Sequence, residues 1–259
     1  MQNSMRYWAR DGGGWLGAYN VNYLSPADQR RFNDEWLPAI DKAARLLGPL
    51  LGRPLVNALS SQGVKPGNGA PIVILPTGAL GLLPLGLARD VSTPSLMENY
   101  TVALLPSLAA LASAKGRGTE LGQSTLAAVV NPTGDLPFTV VEGALVESHF
   151  ASGRKFVVRE GAATTSAVIA ALRGRDYWHF ASHGTFDWED GRASALLMNQ
   201  YTPLTVGGLL DSDGLGRPRL VVLSACETGL YDIATTPNEF IGLPAAFLQL
   251  GARGVLATL

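Results

Sequence analysis

The chain holds one cysteine, Cys226, in the run RLVVLSACETG (219–229), where a string of aliphatic residues stops. Taken alone, a free cysteine after such a string reads as core packing, since unpaired cysteine is among the most buried residue types. A second string, DYWHFASHG (176–184), ends in the same way on His183 and Gly184, with His183 lying 43 residues before the cysteine. If both strings are neighbouring strands of a parallel sheet, a thiol and an imidazole emerge together at its carboxyl edge, where open α/β sheets gather their sites. That pair is what a thiol peptidase requires. The imidazole lowers the cost of forming thiolate, then donates a proton to the departing amine. Gly184 lacks a side chain, so its backbone N–H can approach a reacting carbonyl, and with the N–H of Cys226 it could hold a developing oxyanion.

The other polar residues nearby read more plainly. His179 lies four residues before His183, about 13 Å along an extended strand, too far to share its site. It reads as a hydrogen-bonded core residue, and His149, near the end of a helical pattern, as a surface or helix-end residue. Asp187, Glu189 and Asp190 follow the histidine and could orient it or meet a basic substrate residue, with a solvated acidic loop as the blander alternative. Glu227 stays open in the same way, between a substrate or orienting contact and a turn shaped with Thr228 and Gly229. His179 and His183 have helical ligand spacing, but their string reads as a strand and there is no second cysteine, so no metal is expected. GGGWLG (12–17) fits G-x-G-x-x-G without a preceding strand, which argues against a dinucleotide site.

The elements that must position Cys226 and His183 follow from periodicity. Apolar strings at 71–76, 98–105, 124–131, 155–160, 177–182, 219–225 and 253–259 read as strands, several of them apolar on both faces. Between them, 106–114, 139–150, 164–174 and 238–251 read as helices, the last regular from about Pro244. Strands buried on both faces and separated by helices imply an α/β fold: a mostly parallel sheet between two helical layers. Ahead of it, Ser25 with Pro26 reads as the start of a helical stretch that Pro49 and Pro54 divide into two or three short helices, and residues 1–24 show no clear period. The organisation expected is a short, partly helical N-terminal extension over 1–69 and a main domain over 70–259.

Composition excludes several classes of function. With 259 residues, 47% of them hydrophobic, the chain can bury one large core. Its 20 basic and 21 acidic residues leave a net charge of −1 and no basic cluster, so nucleic acid is not an expected partner. A single cysteine makes no internal disulfide, and no stretch reads as a signal peptide or a membrane span; a cytoplasmic location is the expectation.

The strings VILPTGALGLLPLGLA, LLPSLAAL, VVNPTGDLPF, HFASHGTFD, LVVLSACETG and GLPAAFLQLGARGVLATL, in that order from about Ala70 to Leu259, resemble the CHAT domain. This is a bacterial module similar to the caspase-like cysteine peptidases, which include caspases, separase, legumain and gingipains. The resemblance implies a caspase-homology sheet flanked by helices. It implies cleavage of peptide bonds in specific partner proteins by Cys226 with His183, and no metal or organic cofactor. It further implies a regulated assembly, with a TPR-containing or other regulatory partner and a bacterial defence setting, or else a non-catalytic interaction scaffold on the same fold. Because such chains continue past the segment matching GVLATL, the domain is expected to be truncated at its C-terminus.

Overall fold

The computed structural model describes residues 36–108, 124–230 and 241–258, together with the isolated positions 34, 110 and 112. The glycine string 12–17, the N-cap expected at Ser25 and positions 109, 111, 113 and 114 of the helix expected over 106–114 lie outside the described residues. The chain divides into two compact units after Leu105.

In the first unit, α1 (Leu37–Leu47) runs through a π-helical turn (Gly48–Gly52) into α2 (Arg53–Ser61). Pro49 lies in that wider turn and Pro54 at the second position of α2, and neither has an N–H to give to the helical ladder. The expected division of the helical stretch therefore occurs between Gly48 and Gly52. Strands β1 (Ala70–Ile74) and β2 (Tyr100–Leu104) pair in parallel, Ala70 beside Tyr100 and Ile74 beside Leu104. The short helix α3 (Leu96–Asn99) opens β2's approach with a capping box, in which Glu98 Oε2 accepts the Ser95 N–H at 2.7 Å.

The second unit carries a five-stranded, all-parallel sheet made of β3 (Leu126–Val130), β4 (Lys155–Arg159), β5 (Tyr177–Ala181), β9 (Leu220–Ser224) and β10 (Val255–Ala257). Their order across the sheet is β10-β9-β5-β3-β4. The chain starts at β3, adds β4 on one side, then crosses back to add β5, β9 and β10 on the other. Direction reverses between β3 and β5, the crevice where doubly wound sheets place their sites.

Alternation along the strands builds a layer on each face. Trp178 and Phe180 of β5 point one way and meet Phe247 of α7 (Leu243–Leu250), with ring centroids 6.0 and 5.7 Å away. Val168 and Leu172 of α5 (Thr165–Leu172) and Val206 and Leu209 of α6 (Val206–Leu210) complete that core. On the opposite face, Leu126, Ala128, Val130 and Tyr177 pack with Val146 of α4 (Pro137–Ser148) and with Phe150 beyond it. Gly143 of α4 lets the helix ride directly on β3: a Cβ there would lie 2.7 Å from a Val130 methyl. Helices on both faces of a parallel sheet are the α/β architecture expected from the strings of doubly apolar strands.

A second sheet of three short antiparallel strands, β6 (His183–Thr185), β7 (Ala195–Leu197) and β8 (Pro203–Thr205), extends from the carboxyl end of β5. Sequence periodicity gives no hint of it, because three residues are too few to show alternation. Among the described residues, no helix is long and apolar enough to cross a membrane.

Candidate active site

Strands β5 and β9 are neighbours, in register with Ala181 beside Ser224. The pairing closes with the Ser182 N–H donating to the Ser224 carbonyl at 3.3 Å. His183 and Cys226 each follow two residues beyond that register, at the same carboxyl edge. The backbones stay together past the sheet, since a Cβ on Gly184 would lie 2.5 Å from the Cys226 carbonyl oxygen and 2.9 Å from a Thr228 methyl. Gly184 is thus required by packing against the cysteine itself. The Cys226 thiol is exposed, and the His183 side chain keeps 27% of its surface in solvent.

The turn carrying Cys226 is tied down on both sides. The buried Thr228 donates its hydroxyl to the Ala225 carbonyl at 3.0 Å, and Thr258, just past β10, donates to the same oxygen. Glu227 adopts φ +59°, a left-handed conformation that costs a non-glycine residue about 1 kcal/mol. Its carboxylate turns inward and accepts the Phe186 N–H at 3.0 Å. Burial pushes this carboxyl's pKa up, against the lowering effect of the Phe186 bond. Glu227 is therefore a strap between the cysteine turn and the chain leaving His183.

The imidazole is held from the neighbouring strand β3. Asn131 follows β3 with φ +50°, gives its N–H to the Ala181 carbonyl, and accepts the Leu136 N–H on its side chain at 2.8 Å. The tight loop so formed presents Asp135, whose two carboxylate oxygens both lie 3.1 Å from His183 Nε2. The Thr133 hydroxyl donates to Oδ1, and the Tyr201 hydroxyl donates to Oδ2 at 2.8 Å. The Thr133, Tyr201 and His183 hydrogen bonds, in that order, hold this carboxyl far below the usual carboxylate range. An ionised carboxylate only accepts, so it fixes the ring proton on Nε2 and leaves a lone pair on Nδ1. The Tyr201 ring stacks on the imidazole, centroids 6.2 Å apart and planes inclined by 21°.

Asp135 and Tyr201 are the two residues that sequence reasoning missed. Their bonds span 48 positions to His183 and 66 between themselves, beyond any local spacing rule. The available signal was N-P-T-G-D directly after a doubly apolar strand, a rigid turn at the carboxyl end of the central sheet. Asp187, open to an orienting role in the sequence, instead accepts the N–H groups of Glu189 and Asp190 at 2.8 and 2.9 Å, closing its own loop. Those two bonds lower its pKa.

His179 is buried in β5 and stays apart from the exposed edge. Its Nε2 lies 3.1 Å from Glu142 Oε1, in an orientation poorly aligned for a hydrogen bond, while Glu142 Oε2 accepts the Ser224 hydroxyl at 3.1 Å. Burial depresses the His179 pKa, and the carboxylate opposes this in part. His149 caps the C-terminus of α4 and is exposed.

Cys226, His183 and Asp135 thus follow three adjacent strands of one parallel sheet, β9, β5 and β3. No curated protein matches the chain. The family model of the CHAT domain matches residues 41–259. The chain belongs to the CHAT domain family, which is related to the caspase-like cysteine peptidases.

Proposed function

We propose that the protein is a cysteine endopeptidase acting on specific partner proteins, with Cys226 as nucleophile, His183 as general acid and base, and Asp135 orienting the imidazole. The observation that carries this reading is the β5–β9 register, which puts His183 and an exposed Cys226 at one edge with Gly184 against the Cys226 carbonyl. The thiol proton passes to His183 Nδ1, and the thiolate attacks the scissile carbonyl carbon. The C–N bond breaks as the imidazolium returns that proton to the departing amine, leaving a thioester on Cys226. Water then gives a proton to Nδ1 and its oxygen to the acyl carbon. The Cys226–acyl bond breaks, and the sulfur regains its proton. The N–H groups of Gly184 and Cys226 are assigned to the developing oxyanion. Asp135 keeps the imidazole in the tautomer that this sequence of transfers needs.

The test is proteolysis of a peptide library read by mass spectrometry, with a peptidyl acyloxymethyl ketone as covalent probe. Cleavage by the wild-type chain, its loss in Cys226→Ala and a fall of about a hundredfold or more in His183→Ala support the reading. Labelling of Cys226 at the rate of an ordinary thiol, unchanged by His183→Ala, would leave a CHAT fold that serves as an interaction scaffold.

A further inference from the structure

Tyr201 stands at the tip of the hairpin joining β7 and β8. The turn is Asn199–Thr202, closed by Thr202 N–H to the Asn199 carbonyl at 3.1 Å, with Met198 N–H donating to the Thr202 carbonyl at 2.8 Å. Both central residues are left-handed, Gln200 at φ +54° and ψ +31° and Tyr201 at φ +56°. Such two-residue hairpin turns strongly favour Asn-Gly or Asp-Gly, because both central residues need positive φ. Here a glutamine and a tyrosine occupy them. The local preference for glycine is overridden at the position whose side chain meets Asp135 and His183.

The side chain does two separate things there. Its hydroxyl donates to Asp135 Oδ2, and its ring lies over the imidazole. The bond to Asp135 also pushes the phenol pKa up, so the hydroxyl stays protonated and remains a donor. Asp135 thus receives Thr133 on one oxygen and Tyr201 on the other, with His183 Nε2 equidistant from both. Without Tyr201 the carboxylate keeps one hydroxyl donor and the imidazole loses the surface that limits its tilt. The hairpin reaches the site through β6 and β7, where His183 pairs with Leu197.

We infer that Tyr201 is a positioning residue of the Cys226–His183 centre, fixing the Asp135 carboxylate by its hydroxyl and the His183 ring by stacking. This rests on the cysteine peptidase reading above. It makes the β7–β8 hairpin part of the catalytic apparatus, acting through Asp135 and the His183 ring.

The experiment measures inactivation of the full chain by a peptidyl acyloxymethyl ketone and by iodoacetamide, for wild type, His183→Ala, Tyr201→Phe and Tyr201→Ala. Tyr201→Phe keeps the stacked ring and is expected to lower the limiting inactivation rate about fivefold with the ketone's half-saturating concentration unchanged. Tyr201→Ala is expected to lower it further. If that variant fails to fold, Tyr201→Phe still decides the matter. An unchanged limiting rate in Tyr201→Phe overturns the inference, as does a change confined to half-saturation, which would make the tyrosine a peptide contact. If His183→Ala slows both reagents while Tyr201→Phe does not, the inference alone fails. If His183→Ala slows neither, the peptidase reading fails with it.

Discussion

The residue that gives the site its direction is Asp135. A neutral histidine can hold its proton on either nitrogen. By lying 3.1 Å from Nε2 through both oxygens, Asp135 keeps the proton there, which is the arrangement the proposed mechanism needs. Asp135→Asn replaces a pure acceptor by a group that can also donate to Nε2, admitting the wrong tautomer. The expected outcome is at least a tenfold loss of limiting cleavage rate with little change in KM, read by steady-state kinetics on a library-derived peptide. His183 and Cys226 were legible because each ends an apolar string. Asp135 was not, since nothing within a turn's length of it names its partner.

At the scale of elements, the site depends on close backbone approach. Gly184→Ala would drive a methyl into the Cys226 carbonyl at 2.5 Å, and neither backbone can yield without moving the cysteine turn. Loss of cleavage and about 1–3 kcal/mol of stability are expected from activity and denaturant unfolding. Gly143→Ala tests the other side of the sheet. Helix propensity alone favours alanine by about 1 kcal/mol, but the added methyl meets Val130 at 2.7 Å. A net fall in unfolding free energy is therefore expected, and a rise would mean that α4 lifts from β3 at no cost. The seven long strings all became strands because each is apolar on both faces or bounded by turn residues. The strands β6 to β8 escaped because each has only three residues, too few to show alternation, and tertiary pairing makes them extended.

For the molecule as a whole, the parallel sheet is what joins distant parts of the chain into one site, and a polar set around the buried His179 ties a helix to it. The half-buried Glu142 of α4 meets His179 on β5 and Ser224 on β9, linking that helix to both strands that lead to His183 and Cys226. Because burial lowers the His179 pKa in the folded chain, the unfolded chain binds more protons just below the ordinary value of 6.5. The contribution of His179 to stability is thus complete above 6.5 and declines as pH falls beneath it. Urea midpoints measured from about pH 7.5 to about pH 5.5 should drop more steeply in wild type than in His179→Gln, and equal slopes would contradict this. The architecture was readable from alternating strands and helices, whereas this polar set was not, because a histidine in an apolar string names no partner.

The central claim is that His183 activates Cys226 across the edge of β5 and β9, and the rate of iodoacetamide alkylation at Cys226, measured at one neutral pH, tests it most directly. Wild type should react about tenfold or more faster than His183→Ala. Equal rates in the two chains would contradict it.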